Sequence, residues 1–352
     1  MADERLLQAL RARLGPGVRG EEPLAAHTTL RVGGPAAAFV TAEEPSDLVA
    51  VAEVCASAGA PWLLLGRGSN LLVADEGWPG VVVRLGRGFR GVLVPARVDG
   101  PSGVGRASGA DAPARPEPGT AVDVQAGAAE LMPMLARTAA AHGLGGVEFG
   151  VAIPGTLGGA VRMNAGAMGS EVADVLTDVE VVRLADGGRR ERLPASALAL
   201  AYRHSALPED AVVVSARLRL HAVEQAELTA RMRAYKDWRR HHQPTNVPSC
   251  GSVFRNPDGD SAGRLIDSAG GKGLQVGGAR VSPVHANFIT VATGARAADV
   301  HRLVRMVRRL VAREHGVRLQ PEVVMVGFPA DPEETDDAGA TGVRGEALGE
   351  VR

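Results

Sequence analysis

The run Ile153-Pro154-Gly155-Thr156-Leu157-Gly158-Gly159-Ala160, continued by Met163-Asn164-Ala165-Gly166-Ala167, decides how this chain is read. Glycine is entropically costly wherever a larger side chain would serve, so packing does not explain so many small residues together. A backbone that must lie close against a flat or phosphorylated ligand does. The first glycine run along the chain, Gly66-Arg67-Gly68-Ser69-Asn70-Leu71-Leu72, directly follows the apolar segment Trp62-Leu63-Leu64-Leu65. Its glycines let main-chain N–H groups turn toward an anion, and Ser69 and Asn70 add side-chain donors. It is not the Rossmann fingerprint, because Leu71 stands at the third glycine position and no helical pattern follows. Alone, this first run reads as a tight turn. Beside the second, at Ile153–Ala167, it points to a large cofactor that carries both a pyrophosphate and a ring system.

Outward from these runs, hydrophobic periodicity predicts helices over residues 1–14, 46–58, 131–142, 227–240 and 297–314. Ser46 is the expected N-cap of the second and Gly59 its stop. Val300, Leu303, Val304, Val307, Leu310 and Val311 form the apolar stripe of the last helix, which Gly316 ends. Strands are predicted over residues 39–41, 62–65, 81–85, 122–125, 179–184, 212–220 and 323–326. Pro95–Pro118 is rich in Gly, Pro, Ser and Ala and reads as a floppy insertion; residues 330–352 are acidic, Gly-rich and expected to be disordered. The result is a mixed α and β chain without repeats. Both glycine runs fall in one domain, and the last long helix in another.

Composition narrows the classes. The chain has 352 residues, enough for two or three cores, and a formal net charge of −1, which argues against a general nucleic-acid or membrane-surface binder. Lys236 and Lys272 are the only lysines, so arginine carries the positive charge and can bind carboxylates and phosphates bidentately. Two cysteines, Cys55 and Cys250, allow no disulfide framework or CxxC metal site and fit a reducing cytoplasm. Cys55 lies on the apolar face of its helix and is read as core. No apolar run reaches membrane-spanning length.

The segment Pro248-Ser249-Cys250-Gly251-Ser252-Val253-Phe254-Arg255-Asn256-Pro257 adds the chemistry. Prolines at both ends confine it to a strand edge or loop. It sets a hydroxyl beside a flexible glycine, with a cation and an amide close behind, an arrangement suited to giving one proton to a bound anion. Several lookalikes fail. Gly270-Gly271-Lys272-Gly273 lacks the first glycine and the Ser/Thr of a P-loop, and Phe254 breaks a nucleophile elbow. Cys250 reads as a small buried thiol, and adjacent His241 and His242 point apart on a helix, so no metal site is expected.

Further motifs occur in a definite order. These are His27-Thr28-Thr29-Leu30-Arg31-Val32-Gly33-Gly34-Pro35, the two glycine runs, Tyr202-Arg203-His204-Ser205 and Cys250–Pro257. Gly277-Gly278-Ala279, His285-Ala286-Asn287-Phe288 and Leu319-Gln320-Pro321-Glu322-Val323 follow. In this order, from about Leu24 to Gly327, the chain resembles the UDP-N-acetylenolpyruvoylglucosamine reductases of bacterial peptidoglycan synthesis. The short step from Tyr202-Arg203 to Cys250 looks like the second subgroup, which lacks an extra substrate-covering loop.

The resemblance implies an α+β fold: an FAD-binding domain of the vanillyl-alcohol-oxidase type plus a C-terminal α/β substrate-binding domain. Its expected divisions are an N-terminal helix over 1–22, the FAD-binding domain over 23–222 with the insertion at 95–118, the substrate domain over 223–328 and a tail over 329–352. It implies tightly but non-covalently bound FAD and NADPH as reductant. The enolpyruvyl ether of UDP-N-acetylglucosamine would become UDP-N-acetylmuramate, in a cytoplasmic monomer that serves cell-wall synthesis. Ser252 matches the family's proton donor, and Arg203 and Glu322 match the pair at the substrate carboxylate. Gly66, Arg67, Gly68, Ser69, Asn70, Leu71, Ile153, Pro154, Gly155, Thr156, Gly159, Ala160 and Asn164 are the expected cofactor contacts. Tyr202, Asn256, Arg264, Gln275 and His285 are the expected substrate contacts, with Asn256 preferred over Arg255. Glu322 must be protonated or hydrogen-bonded to help rather than repel, so burial should raise its pKa. The chain departs from the family pattern at Ala152, Met168, Val284 and His242, with Arg264 or Arg280 available to replace lost lysine charge. Two other readings fit the same motifs: a flavin oxidase of this fold with another substrate, and a non-catalytic nucleotide-sugar binder.

Overall fold

A computed structural model describes residues 4–95 and 117–329, so the expected insertion and C-terminal tail lie almost wholly outside the described residues. The first layer begins with a helix, α1 (Glu4–Leu14), packed on a second, α2 (Pro45–Ala58). The N-cap of α2 is Glu44, not Ser46. Its backbone N–H meets the Asp47 carboxylate at 3.0 Å, and Pro45, which has no N–H to satisfy, fills the first helical position. Gly59 closes the helix in the left-handed region, as expected. These helices cover a four-stranded sheet ordered Arg19–Pro23, Pro35–Ala42, Trp78–Leu85, Trp62–Leu64, in which the first pair is antiparallel and the rest parallel.

A larger antiparallel sheet follows, built around the long strand Ala211–Ala222 with Leu176–Arg183 on one side and Ala121–Gly127 on the other. Its inner face packs against α3 (Met132–Ala141) and the short α4 (Leu157–Arg162), in a core that includes Phe149, Leu135 and Leu157. The second glycine run spans the entry and exit of α4, so it lies where this sheet meets the first layer. A fifth helix, α5 (Gln225–His242), packs Leu228 and Met232 on Ala136 and Ala140 of α3.

The third unit is a four-stranded sheet ordered Ser249–Ser252, Phe288–Val291, Ala279–Val281, Gln275–Val276. It is covered by α6 (Ala262–Ser268) and α7 (Ala297–His315). Val300, Leu303, Val304, Val307 and Val311 bury the expected stripe of α7, Leu310 sits half-buried at its edge, and Gly316 is its left-handed C-cap. Two features tie this unit back to the rest. Asp75 accepts from the N–H groups of Ala297 and Ala298, so a carboxylate from the N-terminal half caps α7 where the helix dipole favours negative charge. Strand Val324–Val326 then pairs in parallel with Leu71–Val73, directly after the first glycine run.

Candidate active site

The turn Gly66–Asn70 joins strand Trp62–Leu64 to strand Leu71–Val73. Gly68 has φ +63°, and a Cβ there would stand 2.4 Å from the His27 carbonyl oxygen. Thr29 beneath it donates its N–H to the Gly68 carbonyl at 3.1 Å, so the His27-Thr28-Thr29 motif is the floor of this turn. Across from it stands the second run. A Cβ on Gly66 would lie 2.8 Å from Thr156 Oγ1, and one on Gly155 3.6 Å from Ser69 Oγ. The two runs therefore face each other with only backbone and small side chains between.

They line a cleft of about 3180 Å³ that also receives Arg203, Ser252 and Glu322. Each expected cofactor contact from Gly66 to Leu71 and from Ile153 to Thr156 lines it, as do Gly159 and Ala160. A flavin dinucleotide fits such a place, because a flat ring and a diphosphate can approach backbone only where no Cβ intervenes. Gly68→Ala tests the cradle. A non-glycine residue at this φ costs about 1–3 kcal/mol before any clash with His27. We expect a lower melting temperature and a fall in flavin content on purification. An alanine variant with full flavin and unchanged melting would show that the turn has room to relax.

Asn164 is the exception among the expected cofactor contacts. It is fully buried and does not line the cleft; its amide bonds the Ala201 carbonyl at 3.0 Å and the Ala173 N–H at 2.9 Å. Ala201 belongs to the turn that carries Arg203.

Ser252 closes the edge strand Ser249–Ser252. Against its neighbour, Ser249 pairs with Thr290 and Ser252 with Phe288, so three steps on one strand meet two on the other. The extra residue is absorbed at Cys250-Gly251, where Gly251 has φ +78°. A bulge of this kind re-aims the next side chain, here the Ser252 hydroxyl toward the cleft. The segment after it is locked by Asn287, a buried amide that accepts from Phe254 N–H at 2.9 Å and donates to the Phe254 carbonyl at 2.8 Å. Cys250 is buried, and burial pushes its thiol up to about 12, which removes it as a nucleophile.

Glu322 arrives on the chain that runs beside this segment; its N–H donates to the Val253 carbonyl at 2.8 Å. Asn70 of the first glycine run donates its side-chain amide to the Glu322 carbonyl at 3.0 Å. Arg203 Nε meets Glu322 Oε1 at 2.6 Å, while Oε2 is buried without a protein partner. Burial raises the Glu322 pKa above its ordinary value, opposed by the charges of Arg203 and Arg255. The expected upward shift is thus present, and its cause is desolvation.

The expected substrate contacts are not gathered in the cleft. Arg264 is exposed and bound to Asp260 at 2.7 Å, Gln275 donates to the Gly277 carbonyl, and His285 is packed edge-on to Phe288 with burial lowering its pKa. Asn256 turns its side-chain oxygen to the Ala262 N–H at the start of α6, and Tyr202 is exposed, with its hydroxyl accepting from Asn256 N–H at 3.3 Å. Arg255, ranked below Asn256 from sequence, lines the cleft, with its Nε buried and unpartnered. Arg239 near the end of α5 also lines it, held by Gln243 at 3.0 Å. Arg239 therefore supplies cleft charge that sequence reasoning assigned to Arg264 or Arg280. Its signal was the pair Arg239-Arg240 ahead of Gln243-Pro244, which carried no spacing rule. Asn287 was quoted within a motif but not read as a clamp.

Residues 243–326 match the model of the C-terminal domain of UDP-N-acetylenolpyruvoylglucosamine reductase, and residues 115–191 match that of an FAD binding domain. A protein of Rubrobacter xylanophilus named UDP-N-acetylenolpyruvoylglucosamine reductase is 40% identical over 319 residues, 90% of this chain and 98% of its own length. One of the same name from Acidiphilium cryptum is 43% identical over 332 residues, 94% of this chain and 96% of its own. The crystal structure of UDP-N-acetylenolpyruvylglucosamine reductase from Thermus caldophilus superposes with a TM-score of 0.69 at 37% identity, covering 88% of this chain and 97% of that one.

Proposed function

The chain belongs to the UDP-N-acetylenolpyruvoylglucosamine reductases, and from that premise we propose how its own residues carry the reaction. It is an FAD-dependent oxidoreductase that reduces UDP-N-acetyl-3-O-(1-carboxyvinyl)-glucosamine to UDP-N-acetylmuramate with NADPH, in peptidoglycan precursor synthesis. FAD would be held along the glycine runs Gly66–Leu71 and Ile153–Ala160 and, when bound and reduced, would supply hydride for the methylene carbon of the enolpyruvyl group.

The observation that carries the assignment of roles is the Arg203–Glu322 pair, 2.6 Å apart, in the same cleft as Ser252 and both glycine runs. Hydride addition leaves an electron pair on the carbon that bears the substrate carboxylate, and this charge spreads onto the carboxylate oxygens. Arg203 holds that carboxylate through its guanidinium. The arriving carboxylate competes with Glu322 for Arg203. Glu322 then keeps its burial but loses its counter-charge, takes up a proton and becomes a hydrogen-bond donor to the same anion. Ser252 Oγ gives its proton to the carbanion carbon, which completes the lactyl ether, and regains a proton from water.

The FAD-binding domain spans residues 23–222 and the substrate domain 223–328 in this reading, with α5 and strand Val324–Val326 fastening one to the other. In this reading the protein acts as a monomer in the cytoplasm. Among the described residues no helix is long and apolar enough to cross a membrane. An anaerobic absorption spectrum tests the assignment. The purified protein should show flavin bands that NADPH bleaches and the enolpyruvyl substrate restores. Bands restored by oxygen but not by this substrate would favour an oxidase, and a colourless protein a binding module.

A further inference from the structure

The turn that carries Arg203 is an unfavourable piece of backbone gripped from a neighbouring element. Arg203 has φ +54°, in the left-handed region where a non-glycine residue is uncommon. Ala201 and His204 exchange backbone hydrogen bonds at 3.1 and 3.0 Å, so Tyr202 and Arg203 form the tip. Two contacts reach this tip from the end of α4. Asn164, itself left-handed at φ +40°, donates from Nδ2 to the Ala201 carbonyl and accepts at Oδ1 from Ala173 N–H. Ser205 Oγ donates to the Arg162 carbonyl at 2.7 Å.

The element that makes these contacts also builds the cofactor cleft. α4 begins at Leu157, directly after Gly155 and Thr156 of the cleft wall, and Gly159 and Ala160 within it line the cleft. The α4 segment therefore joins the wall directly to the grip on the arginine turn. A side chain exposed to the cleft cannot be held by a surface loop alone to the accuracy that catalysis needs; a buried amide with both ends satisfied can hold it.

We propose that Asn164, assisted by Ser205, is a positioning residue for Arg203, which sets the guanidinium at a fixed place relative to the glycine-lined wall. This rests on the assignment of Arg203 to the substrate carboxylate. Asn164 is fully buried, does not line the cleft, and acts through the turn. Its removal should therefore disturb the half of the reaction that uses the substrate carboxylate and spare the half that does not.

Asn164→Asp separates the donor from the backbone. Aspartate tolerates the left-handed region and still accepts from Ala173, but it presents oxygen to the Ala201 carbonyl. Rapid-mixing measurements on flavin-loaded protein should show reduction by NADPH within about threefold of wild type and reoxidation by the enolpyruvyl substrate slowed about 10–100-fold. Ser205→Ala, which removes the lesser contact, should show the same split at about 3–10-fold. Unchanged reoxidation in Asn164→Asp overturns the proposal, as does an equal fall of both half-reactions with flavin loss. If Asn164→Asp does not fold, Ser205→Ala decides, and unchanged reoxidation there overturns it. A wild-type protein that the substrate cannot reoxidise overturns the functional reading as well, whereas active wild type with a fully active Asn164→Asp overturns the tether alone.

Discussion

Ser252→Ala is expected to slow reoxidation of NADPH-reduced protein by the enolpyruvyl substrate about 10²–10⁴-fold, the range for loss of a positioned proton donor. Reduction by NADPH and flavin content should stay near wild type. The reason is geometric. Ser252 ends an edge strand whose bulge at Gly251 aims it into the cleft, and the backbone around it is held by Asn287 and by Glu322 N–H rather than by the serine itself. Alanine therefore fits the strand without strain and removes only the hydroxyl. Product formed in deuterated water should carry the solvent hydrogen on the carbon beside the carboxylate, and the variant should form it slowly. Full turnover of Ser252→Ala would take this residue out of the mechanism and turn attention to a water held in the same cleft.

Replacement of Arg203 is the second large effect. Arg203→Lys should lower the substrate half-reaction about 10²–10³-fold, because an ammonium is a point charge and cannot reproduce a planar fork on a carboxylate. The pair also fixes the pH response. Glu322 is pushed up by burial and pulled down by Arg203, so in the reading given above its protonated form is the active one. Activity is then present below the Glu322 pKa and lost as the pH rises through it. Arg203→Ala removes the downward pull, leaves burial less opposed, and should move the alkaline limb of the residual substrate half-reaction to higher pH. Glu322→Gln should remove that limb. A limb that stays in place in both variants would mean that another group titrates there.

The linkage has the same sign for stability. A carboxyl with a raised folded pKa binds its proton more tightly folded than unfolded. Its stabilising contribution is therefore present at low pH and lost as the pH rises through the folded pKa.

Local patterns account for much of what was legible. The apolar stripe of α7, the left-handed glycine caps at Gly59 and Gly316, and the edge position of Ser249–Ser252 follow from rules that act over a few residues. The same holds for the two glycine runs, because small residues in series are visible without any knowledge of what faces them. The misplaced cap at Ser46 shows where such rules compete. A serine is a good cap, but Pro45 is a better first helical residue, and the helix starts two residues earlier than a Ser46 cap allows.

The composition of the site was a different matter. Asp75 capping α7, Asn70 bound to the Glu322 carbonyl and Thr29 bound to the Ser249 carbonyl each join positions more than 200 residues apart, at separations of 222, 252 and 220. No local rule selects such partners. The sequence put Arg264 among the expected substrate contacts and ranked Arg255 below Asn256, and only folding shows Arg264 neutralised by Asp260 outside the cleft and Arg255 inside it. Asn164 is the sharpest case. Its place in a glycine run implied a cofactor contact, whereas burial turned its amide toward the arginine turn. Residue types and their order along the chain thus specified the family, the cofactor class and the three reacting side chains as expectations. Which polar groups face the cleft and which are consumed in holding it depends on long-range packing. A buried donor must find an acceptor wherever the fold brings one, and that partner is not written in the neighbouring sequence.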